Sequence, residues 1–130
     1  MAITYFPVVG EIIAVIADRS NDDDGTPTEQ PVSSLVTFTP SVKEVRFEGQ
    51  IVRLRPITAR TEEDGVLKTI DGNQVELAAN CFGLDELSYL VEFSKATIDG
   101  ERDQRIDPFR FLAPEDDTEI DLATVERRAI

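Results

Sequence analysis

The segment LSYLVEFSK, residues 87 to 95, sets Leu87, Tyr89, Val91 and Phe93 on one face of an extended chain and Ser88, Glu92 and Ser94 on the other. This two-residue alternation recurs. In QVELAAN it turns Val75, Leu77 and Ala79 inward and Gln74, Glu76 and Asn80 outward, and in VSSLVTFTP it groups Val32, Val36 and Phe38. Helical periodicity is almost missing, so the chain must bury one face of several short strands. IVRLRPITAR opens with Val52 and Leu54 opposite Arg53 and Arg55, but Pro56 interrupts it, and Ile57 and Ala59 then take the other parity. A proline with a change of face predicts an edge strand or a bulge.

Asp and Gly punctuate these runs in DDDGTP, EDG, DGN and DGE, where turns need a positive φ or a side-chain cap. Ile70 to Asn73, IDGN, predicts a hairpin between VLKTI and QVELAAN. Phe82 to Ser88 predicts one helical or 3₁₀ turn. Strands are expected near 11 to 18, 32 to 40, 50 to 59, 66 to 70, 74 to 80, 87 to 95, 106 to 112 and 118 to 122. The expected fold is all-β, an antiparallel immunoglobulin- or fibronectin-like β-sandwich of seven or eight strands, with a small barrel as the alternative. A chain of 130 residues has room for one such domain. The expected organisation is an N-terminal arm over residues 1–10, a sandwich over 11–125 and a C-terminal tail over 126–130.

A formal charge of −13 argues against nucleic acid and anionic membranes as partners, because both attract a basic footprint. The sequence contains no histidine, which removes imidazole relays, imidazole zinc ligands and an imidazole base near neutral pH. Cys81 is the only thiol, so no internal disulfide forms, and its expected role is a small buried apolar residue. The N-terminal sequence lacks a basic region ahead of its apolar run, and Ile12 to Ala17 is too short to cross a bilayer. Synthesis in a cytoplasm and a soluble product are the expectation.

The acidic stretch RSNDDDGTPTE, Arg19 to Glu29, invites comparison with a calcium loop. With Gly25 at the sixth position, Ser20, Asp22 and Asp24 fall at the first, third and fifth, but Pro31 stands at the twelfth, where a carboxylate is needed. A hairpin loop with aspartates as turn formers is the favoured reading, and calcium at Asp22 to Asp24 is the alternative. The 26 Asp and Glu residues lie mostly in turns or on outward strand positions, where water levels their pKa values, so no acid and base pair stands out. The triplets at Glu62 to Asp64 and Glu115 to Asp117 are solvated surface on the same argument. Phe38, Phe93, Phe109 and Phe111 belong to the core and not to a sugar platform. No enzyme, catalytic residue, metal or cofactor is therefore predicted. Arg53, Arg55 and Arg60 reverse the sign of charge locally. They form either the solvated face of an edge strand or a subunit interface that meets acid on a neighbouring copy.

Taken in order, EIIAVIAD, the loop carrying DGTP, VSSLVTFTPS, VRLRPITAR, DGVL, VELAAN, LSYLVEF, IDPFRFLAP and TEIDLATV resemble a β-sandwich module of minor tail and tail-tip proteins of bacteriophages that infect actinobacteria. The resemblance spans roughly residues 11 to 125 and rests on composition and order, without a chemical signature. It implies a non-enzymatic virion component, assembled as a homo-oligomer such as a trimer and docked on other tail proteins as an adaptor or adhesin-attachment module. It carries over no catalytic residue. An immunoglobulin-like module that recognises a glycan or protein on a cell surface is the competing expectation.

Overall fold

A computed structural model describes residues 3–17, 27–62, 64–98 and 101–128. The acidic segment Asp22 to Asp24, with its calcium question, lies outside them. Among the described residues there is no helix, and the chain forms twelve strands in three sheets. β1 (Tyr5–Val9), β8 (Val75–Ala78) and β12 (Ile120–Asp121) form a small sheet with β1 in the middle, antiparallel to β8 and parallel to β12. The large sheet is built on two long strands, β3 (Pro27–Pro40) and β9 (Ser88–Ile98), each of which changes partner midway. One edge of β3 pairs first with β2 (Ile13–Ala17) and then with β6 (Ile57–Thr61), which pairs in turn with β7 (Leu67–Thr69). The outer edge of β9 takes β11 (Phe109–Leu112) and then β10 (Glu101–Gln104). β4 (Glu44–Phe47) and β5 (Gln50–Arg53) make a separate hairpin.

The two sheets enclose one sandwich-like core. Phe6, Val8, Val75 and Leu77 of the small sheet meet Val36, Phe38, Tyr89, Val91 and Phe111 of the large one. The aromatic rings interlock: Phe6 lies edge-on to Tyr89 at 6.0 Å and to Phe111 at 6.2 Å. Backbone bonds sew the sheets together at both sides. The Leu67 amide donates to the Gly10 carbonyl, and the Asn80 amide to that of Pro114.

The residues expected inward from Leu87 to Phe93 and from Val75 to Ala79 do face the core, but the period breaks at Ala78, which is buried between Leu77 and Ala79. Asn80, expected outward, is buried, and its side-chain amide donates to the Leu84 carbonyl. Ser33 faces Thr97 while Leu35 faces Ser94, so β9 carries one residue more than β3 across that interval. Lys95 sits there with φ 53°, a β-bulge, and the inward parity moves from Phe93 to Ala96. On the opposite edge, β3 leaves β2 after Pro31 and joins β6 at Ser34. The Thr61 hydroxyl fills the gap, accepting from the Ser34 amide at 2.9 Å and donating to the Val32 carbonyl at 2.6 Å.

Several expectations are corrected. The described part of the expected arm over residues 1–10 is not an arm: from Tyr5 to Val9 it is a core strand, with Phe6 and Val8 pointing inward. Pro7 is tolerated because the strand at that point pairs only with β8; β12 begins its pairing at Val8. The tail over 126–130 is pinned where it is described. The Arg127 guanidinium lies 4.0 Å from the Phe109 ring centre, and Arg128 bridges to Arg110. The single strand over 50 to 59 is two strands, with Leu54 to Pro56 passing between different sheets. Phe82 to Ser88 contains no helical turn, since the Leu84 and Leu87 carbonyls accept from the Asn80 side chain and the Ala113 amide. IDGN makes its turn, but β7 and β8 then part to join different sheets.

Gly65 marks a close approach between chain segments. Its φ is +77°, and a Cβ there would meet the Ile12 carbonyl oxygen at 2.5 Å. Only glycine lets the β6–β7 connection accept the Ile12 amide at this distance.

Candidate functional site

The hairpin β4–β5 ends where the Leu54 amide donates to the Lys43 carbonyl, and Pro56, with no amide proton, starts the crossing to β6. Along this short bridge the side chains alternate. Leu54 packs against the core cluster, while Arg53 and Arg55 point outward on either side of it. A groove of about 300 Å³ opens there, walled by Ile3, Tyr5, Val52 and Ile57 and floored by Ala78 and Tyr89. A smaller hollow of about 170 Å³ lies against the same arginines, lined by Thr39, Pro40, Lys43 and Pro56. Tyr5 is 52% exposed and Ile57 38%, high values for large apolar side chains that line one groove.

Among the described residues no carboxylate lines either hollow and none lies within ion-pair distance of Arg53 or Arg55, while Glu44 stands directly across the β4–β5 hairpin from Arg53. Arg60 does not share the site. It projects from β6 opposite Leu35 and Lys68, pairs with Glu62 at 3.5 Å, and lines a separate hollow of about 420 Å³ with Ser33, Thr61 and Asp64. The arginine cluster legible in the sequence therefore divides into a pair on an apolar groove and a third member already neutralised. Tyr5 and Ile57, the apolar half of the groove, do not stand out in the sequence. Their signal is an outward or strand-end apolar residue within two positions of a proline.

The groove floor is held by the Tyr89 hydroxyl, which donates to the Ala78 carbonyl at 2.8 Å and ties the two sheets together. Burial pushes this phenol up to about 12, because the phenolate is costly to desolvate. The folded protein thus holds a proton that the unfolded chain releases at about pH 10. Its contribution to stability is complete below about pH 10 and disappears as the pH rises through about 12. Urea midpoints measured across that window should fall for the wild type and fall less for Tyr89→Phe. An equal alkaline fall in both proteins would contradict this assignment.

Elsewhere, among the described residues, no group of three or more Cys, Asp or Glu is placed to hold a metal ion. No helix among them is long and apolar enough to cross a membrane. Glu115, Asp116 and Asp117 stand exposed on the β11–β12 connection, where hydrogen bonds from Thr118 hold the Asp116 carboxyl below its usual range. Cys81 is half-buried beside the small sheet.

Comparison of the chain with protein-family models, with curated proteins and with solved structures gives no match.

Proposed function

We propose that this protein is a non-enzymatic structural module that works by docking, and that it belongs to a bacteriophage tail as a minor tail, tail-tip adaptor or adhesin-attachment component. The observation that carries the docking role is the groove beside Leu54, where exposed apolar walls adjoin two cations without a carboxylate partner among the described residues. Apolar area beside exposed arginine is the composition of a protein contact, in which Arg is enriched and the apolar walls supply desolvation. The tail assignment draws on the segment order from EIIAVIAD to TEIDLATV, and the fold is assigned to the immunoglobulin- or fibronectin-like sandwiches on the same ground. Partners are other copies of the chain, as in a trimer, and other tail proteins within the virion. Co-expression with the tail-tip proteins of an actinobacterial phage should yield a complex that survives purification. Consistent failure to co-purify with any of them would overturn the tail assignment.

A second reading is an immunoglobulin-like module for a cell-surface glycan or protein, and the exposed Tyr5 ring on the groove wall favours it. It calls for a rise in melting temperature with cell-wall glycans, whereas the tail reading calls for none.

A further inference from the structure

A turn elsewhere on the same chain carries chemistry complementary to the groove. At the β7–β8 turn Ile70 is 47% exposed, and Asp71 beside it is exposed. The turn is fixed by its own bonds: the Thr69 amide donates to the Asn73 carbonyl, the Gly72 amide to the Thr69 carbonyl, and the Asn73 amide to the Thr69 hydroxyl. Gly72 adopts φ +85° with nothing within 4 Å of where a Cβ would be, so the tip stands clear. Such a turn presents one apolar anchor and one carboxylate without needing to be ordered on contact. The groove offers the complement, an apolar cleft with two guanidinium groups on its rim. The chain's own tip is not among the residues that line its groove, and Asp71 has no ion-pair partner among the described residues.

We propose that the groove receives the β7–β8 turn of a second copy, with Ile70 entering between Tyr5, Leu54 and Ile57 and the Asp71 carboxylate meeting Arg53 and Arg55. This deepens the docking role and rests on it. Self-association is favoured over a foreign ligand because the turn supplies both halves of the match in one rigid element. Arg forks bind carboxylate in two parallel bonds, which fixes orientation as well as affinity. The contact joins two different surface elements, so successive copies are able to close into a ring.

The test is light scattering of the full chain over a range of concentrations, with circular dichroism to verify folding. Wild-type protein should associate reversibly. R53E/R55E and D71K should each weaken association by about tenfold or more, because like charges then face one another. The combined chain R53E/R55E/D71K, with both signs exchanged, should recover it. I70S, which leaves charge unchanged, should also weaken it. All these positions but Ile70 are charged and exposed, and Ile70 is half in solvent, so the variants are expected to fold. A wild type that stays monomeric throughout, or a combined variant no better than its parents, overturns the docking. Association that ignores every substitution also overturns it, while co-purification with tail proteins would leave the tail assignment standing.

Discussion

Replacing Phe6 by alanine should cost about 3–5 kcal/mol of folding stability, the range for removing a buried aromatic side chain and leaving a cavity. Phe6 is 0% exposed and touches the rings of Tyr89 and Phe111, so its loss opens the centre of the core. The same substitution in a solvated arm would change stability by no more than about 0.5 kcal/mol. Urea denaturation of Phe6→Ala therefore separates a core strand from an appendage directly. A change below about 1 kcal/mol would mean that β1 does not hold this position in solution.

Thr61→Val should destabilise the fold by roughly 2–4 kcal/mol, although the side chain keeps its shape. The hydroxyl serves both the Ser34 amide and the Val32 carbonyl at the point where β3 changes partner. Valine would leave both backbone groups buried and unpaired, and water is kept out because Thr61 is 1% exposed. Thr61→Ser retains the hydroxyl and should recover most of the loss. Equal stability in the Val and Ser variants would show that the bonds are not what matters there.

The legible part of the fold is the part governed by period. Val32, Val36, Phe38, Val75, Leu77, Leu87, Tyr89 and Val91 are all expected inward, and all are buried. Alternation reports a local fact, which side of a strand meets the core, and so it survives without knowledge of the partners. Pairing is far less legible. IDGN specifies the correct turn, yet nothing local to it says that β7 stays with β6 while β8 crosses to β1. β1 escapes a linear reading for a related reason. Pro7 argues against a central strand in general, and only the shortness of β12 makes it harmless here. The parity change at Lys95 is likewise invisible, because a bulge is fixed by the mismatch between two strands and not by either alone.

The candidate site is half legible. Opposite charge in an acidic chain draws attention to Arg53, Arg55 and Arg60, but sequence proximity joins what the fold separates. Pro56 sends the chain from the hairpin into the large sheet, leaving Arg60 beside Glu62 and the other two on the groove. The apolar walls come from three separate segments, Ile3 with Tyr5, Val52, and Ile57, and no linear pattern collects them.

The parallel pairing of β1 with β12 sets Val8 opposite Ile120. During synthesis the first of these strands leaves the ribosome long before the last, and even its other neighbour, β8, arrives only after the intervening strands. The small sheet therefore cannot nucleate early. Its closure is a late event that must span nearly the whole domain, and chains dominated by such distant pairings fold slowly. Until then Phe6 and Val8 lie open to solvent or to other nascent chains, which makes the interval between translation and closure the period in which this protein is most prone to aggregate.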